Sequence, residues 1–148
     1  MKMLLKKYAP LLMLVLVIIG FQWYSNARTA RYEALAYLSE GLVIGAPVKM
    51  QVAMYYQMHG EFPSSNQAVA LPPPSSYKGQ SLTRLAISTG GIITLTYDKK
   101  SGVHNGIIEL IPSIDARQSI RWECFTPSYR AVPNCPYISV KGPRGTAW

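Results

Sequence analysis

Two cysteines, two histidines and a late run of basic and aromatic residues carry whatever chemistry this 148-residue chain offers. Cys124 and Cys135 lack the CxxC spacing of a redox or zinc pair, and with His59 and His104 they do not make up a metal site. In a segment outside the cytoplasm an even cysteine count reads as one disulfide, with two buried free thiols as the alternative. Closing a loop of that length stabilises by about 3 kcal/mol when the geometry is unstrained. His59 falls at a predicted helix end and His104 in a turn, and neither has a Ser or Cys nucleophile motif nearby, so each reads as a surface or capping residue. Asp98 and Asp115 are single turn carboxylates. Gly90-Gly91 is a turn and not a phosphate cradle, because no helix follows it. The expectation is a non-catalytic chain with no cofactor, metal or small-molecule substrate.

Charge leaves one binding chemistry open. The net charge is +8, and residues 28–148 hold twelve of the fifteen Lys and Arg with all seven Asp and Glu, a balance of +5. Arg121, Arg130, Lys141 and Arg144, interleaved with Trp122, Phe125, Tyr129 and Tyr137, are the residues with which such a chain would grip a DNA phosphate backbone. The competing reading is a solvated basic face beside a packed core, with Trp122 in that core.

The elements that position these residues start with a long helix, from Lys6 to just before Pro63. Tyr8 to Ala27 carries no charge and is long enough to span a bilayer of about 30 Å. Lys2, Lys6 and Lys7 precede it and mark the cytoplasmic side, which places the bulk of the chain outside. Ser25 and Ala27 admit a cleaved signal peptide as the rival. Phe21, Trp23 and Tyr24 are bulky where cleavage prefers small residues, and suit an interfacial aromatic belt. Residues 1–27 are therefore read as cytoplasmic tip and anchor, and 28–148 as a periplasmic or extracellular head.

In the head, Leu35, Leu38, Leu42, Ala46, Ala53 and Tyr56 recur as one apolar helical stripe. Pro47 predicts a kink, or a break with restart. Gly60 and Pro63 stop the helix near His59. Residues 61–81 read as loop, with a short helical turn at 67–70. The period then changes to two, and strands are predicted over 82–87, 92–97, 106–111 and 120–124, separated by turns at Gly90-Gly91 and at 98–105. Ile120, Trp122 and Cys124 share one face of the last strand. This is an antiparallel meander of about four strands on which the helix lies, an α+β roll. The tail, 136–148, reads as a further strand with a flexible end, or as disorder.

Ser39-Glu40-Gly41-Leu42, then Lys49, then Tyr55-Tyr56 through Gly60-Glu61-Phe62-Pro63-Ser64-Ser65-Asn66, followed by the meander, Trp122-Glu123-Cys124 and Pro133-Asn134-Cys135, resemble the head domain of bacterial type IV pilins over roughly Arg28 to Cys135. The resemblance implies a structural role as a pilus-related subunit or an assembly accessory that docks on pilin subunits through the head helix. It also implies a disulfide loop used for contact or adhesion, with Thr126, Ser128, Tyr129 and Arg130 as the contact residues, and a single-pass location in the bacterial inner membrane or in the pilus itself. The family begins with a Gly, cut after by its peptidase, then Phe-Thr-Leu-Ile-Glu. Counting back from Ser39 puts the mature start near Lys6 and the glutamate near Pro10. No Gly follows Lys6-Lys7, and no acidic residue precedes Glu33.

Overall fold

The computed structural model describes residues 2–139. Helix α1 runs Lys2–His59, 58 residues, and is followed by a meander of β1 (Leu82–Ser88), β2 (Ile92–Tyr97), β3 (Gly106–Ile114) and β4 (Ile120–Phe125). The strands are antiparallel in the order β1-β2-β3-β4. This is the expected α+β arrangement, and the strand starts agree with the period-two runs.

The N-terminal part of α1 stands as a unit separate from the head, which begins at Ala34. Its side chains from Leu11 to Ile19 are exposed among the described residues. The helix is long and apolar enough to cross a membrane. Arg28 lies over the Tyr24 ring at 4.7 Å, pairing a cation with an aromatic of the kind found at a bilayer boundary.

In the head, α1 turns Leu38, Gly41, Gly45, Val48 and Val52 inward. Steps of three and four residues keep this row on one side at 3.6 residues per turn. The predicted stripe is corrected at Ala46, which is exposed, while Leu35, Leu42, Ala53 and Tyr56 flank the buried row. The two glycines explain the difference: the row that packs most closely holds no side chain at Gly41 and Gly45, and apolar counting passes over them. A Cβ at Gly45 would make ordinary contact with Leu110 and Leu95 at 3.7 and 3.8 Å, whereas one at Gly41 would collide with the Tyr97 ring.

No break occurs at Pro47. Val43, whose carbonyl loses its helical donor there, is 71% exposed, so water can satisfy the freed group and the proline is tolerated. The helix ends in Gly60 at φ 74°, with Gly60 N–H donating to the Tyr56 carbonyl at 2.8 Å. The left-handed residue closes the last turn.

The core joins Leu38, Val48 and Val52 of α1 to Leu82, Leu85, Ile87, Ile93, Leu95, Tyr97, Ile108 and Leu110 of the sheet. Every second residue is buried along β2 and along β3 as far as Pro112. Strand β3 continues past the expected end at Ile111, through Pro112 paired with Trp122, to Ile114. By that point β2 pairing has ended at Leu110. With a neighbour on one side only, β3 tolerates a residue that has no N–H.

Candidate functional site

Two surfaces of the head are candidate contact sites: the outward face of α1, and the loop closed by the cysteines.

The loop is built on β4. Cys124 and Cys135 are disulfide-bonded, with Cα atoms 4.7 Å apart, which settles the choice between a bridge and two thiols. Inside the loop Thr126 is fully buried. Its Oγ1 donates to the Ile107 carbonyl at 2.6 Å and accepts from the backbone N–H groups of Ser128 and Tyr129 at 3.1 and 3.2 Å. Ser128 Oγ accepts from the Ile107 N–H at 2.9 Å. These bonds tie the loop to the start of β3. The chain leaving the bridge then runs beside Thr126, its Ile138 N–H donating to the Thr126 carbonyl at 3.0 Å, a parallel pairing of Thr126 with Tyr137. The described part of the tail, 136–139, makes this isolated bridge and no strand, and residues 140–148 lie outside the described residues.

Tyr129 also points inward and is 7% exposed. Its hydroxyl and Ser101 Oγ are hydrogen-bonded at 2.6 Å, its ring closes over Gly106, and it meets Tyr97 edge to face at 6.2 Å. Burial pushes the Tyr129 and Tyr97 hydroxyls above the ordinary tyrosine pKa. Of the four residues expected to form a contact surface, Thr126 and Tyr129 are thus corrected to interior anchors. A hydroxyl and a ring that must satisfy backbone donors and fill the core are not free for a partner. Ser128 is half-buried and Arg130 is exposed, the latter over the Tyr137 ring at 5.5 Å.

Of the four basic residues considered for DNA, the two among the described residues, Arg121 and Arg130, stand toward opposite ends of β4. Arg121, the second residue of β4, is paired with Asp115 at 3.4 Å, while Arg130 lies beyond the other end of that strand. Glu123 is exposed between them. Lys141 and Arg144 lie outside the described residues. Trp122, expected in the core, packs against it only partly, and Lys49 of α1 lies 5.6 Å over its ring. His59 is exposed, its ring against Tyr55 at 4.2 Å.

The outward face of α1 has an unusual composition for a solvated helix. Between Ala34 and Met58 the charged residues are Glu40 and Lys49, and both are partly buried. Glu40 Oε2 accepts the Gln80 N–H at 2.9 Å, and Lys49 is turned to Trp122. What remains outward includes Val43, Pro47, Met50, Met54 and Met58.

The motif that ends the helix is a docking device. Phe62 stacks on Tyr56 with ring centroids 4.5 Å apart, the Pro63 carbonyl accepts the Gly91 N–H at 2.9 Å, and Asn66 is buried against β1. Asn66 Oδ1 accepts the Ile87 N–H at 2.7 Å, and its Nδ2 donates to the carbonyls of Leu85 and Pro72 at 3.2 and 3.0 Å. Sequence reasoning missed the roles of Gly41 and Asn66, although both stood inside quoted motifs.

A long helix thus precedes an antiparallel meander whose last strand carries a stapled loop pinned by buried hydroxyls. A family model described as Pilin (bacterial filament) matches residues 34–137. The chain is 32% identical over 124 residues to a type IV major pilin protein PilE1 of Neisseria gonorrhoeae, covering 80% of this chain and 74% of that one. A second PilE1 of that organism is 30% identical, over 81% and 68% of the two chains. A fimbrial protein of Neisseria meningitidis serogroup A is 29% identical, over 80% and 71%. The chain belongs to the pilin family.

Proposed function

We propose that this protein is a pilus-related subunit or assembly accessory, held in the bacterial inner membrane by residues 1–27 with residues 28–148 as a periplasmic head. It docks on other pilin subunits through the outward face of its head helix. The supporting observation is that face: Val43 is 71%, Met50 63% and Met58 71% exposed, and the two charges within reach are engaged elsewhere. A helix face without free charge is covered by something in its working state. The half-exposed part of the disulfide loop, Ser128 with Arg130 on Tyr137, is the second contact, placed for an adhesive or inter-subunit role.

The test is fractionation of cells after shearing, with the intact mass and N-terminus of the recovered protein. A subunit co-purifies with sheared filaments. An accessory stays with the envelope and starts at Met1. A start after Ala27 would give a head free of the membrane and overturn the anchored reading.

A further inference from the structure

The meander sorts its connections between two ends of the head. At one end the β2–β3 connection meets the start of the head helix: a Cβ at Gly102 would stand 3.9 Å from the Ala34 Cβ. The segment leading into β1 joins it there, with the Asp98 N–H donating to the Ser81 carbonyl at 2.8 Å. At the far end the β1–β2 turn meets the close of α1, where Gly91 bonds to Pro63. The β3–β4 turn lies at that far end too, because antiparallel neighbours alternate in direction.

Charge is divided between these ends. Segments 77–81 and 98–105, at the Ala34 end, hold Lys78, Lys99 and Lys100 against Asp98, whereas 60–66, 89–91 and 115–119 hold Glu61, Asp115 and Arg117. The three lysines are exposed, and among the described residues none of them is in an ion pair. Asp98 Oδ1 is engaged by the Ser81 hydroxyl at 2.8 Å and the Lys100 N–H at 2.9 Å, and Glu40 is spent on the Gln80 N–H. Lys100 Nζ donates to the Gln80 carbonyl at 3.1 Å, a bond that draws the two segments together. An open cleft of about 460 Å³ lies beside them, bordered by Lys78, Gln80, Thr83 and Asp98.

The place of this end in the chain decides its partner. Ala34 is seven residues from Ala27, the end of the charge-free run, which is about 10 Å of helix and at most about 25 Å of extended chain. Cations held that close to a bilayer meet its headgroups, and the attraction of an anionic surface acts within a Debye length of about 8–10 Å.

We propose that Lys78, Lys99 and Lys100 form a docking surface for the anionic phospholipid headgroups of the membrane that holds residues 1–27. The surface rests on the anchored reading of those residues. It uses neither the outward face of α1 nor the disulfide loop, so docking to other pilins can fail without it.

The full chain is placed in nanodiscs of phosphatidylcholine, alone or mixed with phosphatidylglycerol, with a headgroup-spin-labelled lipid as probe. The amide resonances of Lys78, Lys99 and Lys100 should broaden in the anionic discs and recover at high salt, while Gly90 and Gly91 stay sharp. The double variant Lys78→Gln, Lys99→Gln keeps the Lys100 bond to Gln80 and should lower the docked-to-free ratio by more than about tenfold. Should that variant fold poorly, the salt series on the native chain decides alone. Equal broadening in neutral and anionic discs, broadening centred on Gly90 and Gly91, or the same response to soluble glycerol phosphate would overturn the lipid surface. A chain that enters neither disc would remove the anchor and the surface with it, a result seen before any broadening is measured.

Discussion

The Tyr97 hydroxyl of β2 donates to the Leu38 carbonyl of α1 at 3.1 Å, across 59 residues of chain. Its ring fills the space over Gly41, where a side chain would collide with the hydroxyl and the ring edge. Helix and sheet are registered to one another at this point.

Gly41→Ala therefore forces Tyr97 off the helix. Overpacking of this kind costs about 1–3 kcal/mol, and Tyr97→Phe, which loses only the hydrogen bond, should cost about 1 kcal/mol. Urea unfolding of both variants ranks them; a neutral Gly41→Ala would show that the contact does not set the packing distance.

Asn66 gives the edge strand β1 a short stretch of pairing that no strand supplies. In Asn66→Ala the Ile87 N–H and Leu85 carbonyl lose partners in a buried site, at about 1–3 kcal/mol. Amide exchange at Ile87 should accelerate by the corresponding factor, with little change at Ile108 in the sheet centre beyond the global loss.

Removing the bridge with Cys124→Ser and Cys135→Ser should cost about 3 kcal/mol, in line with the length of the closed loop. Thr126→Val keeps the shape but leaves the N–H groups of Ser128 and Tyr129 and the Ile107 carbonyl short of a partner. It is expected to cost a further 1–3 kcal/mol or about that. Thermal unfolding of the oxidised Thr126→Val chain separates the two contributions.

Alkaline pH should destabilise the head. Burial raises the Tyr97 hydroxyl above the 10.0 of an unburied tyrosine, so the folded state holds its proton longer than the unfolded one. The stabilisation is complete below pH 10 and is lost as pH rises above it. Absorbance of tyrosinate at 295 nm should rise cooperatively with unfolding. Tyr97→Phe should flatten the dependence, and a smooth titration of Tyr97 in a folded head would contradict it.

Val43→Glu places a charge at the centre of the outward face of α1. The head should keep its thermal stability within about 0.5 kcal/mol, as exposed positions do, while recovery of the protein with sheared filaments falls. Unchanged recovery would remove this face from the docking surface.

Much of the architecture was legible in the linear order of residues. The apolar run ahead of Arg28 stands out by length, the four strands by period-two alternation, and the turns by Gly90-Gly91 and Asn105-Gly106. These signals are local, and local backbone preference decides them. The inward row of α1 was harder to read, because its closest contacts use Gly41 and Gly45 and a search for apolar side chains slides to Ala46. Trp122 sat on the correct face of β4 but covers the core edge, where Lys49 meets its ring. The contact loop divided against expectation, since its polar Thr126 and aromatic Tyr129 look like surface chemistry until their partners Ile107 and Ser101 are seen.

By itself the sequence determined the membrane-length helix, the strands, the pairing-competent cysteines and the motifs that mark the pilin family. All of these depend on residue type and near neighbours. The tertiary structure alone decided which hydroxyls and amides turn inward, because each answers a backbone group or a cavity supplied by a distant segment. It also decided which helix face is left open, for that is whatever the sheet does not cover.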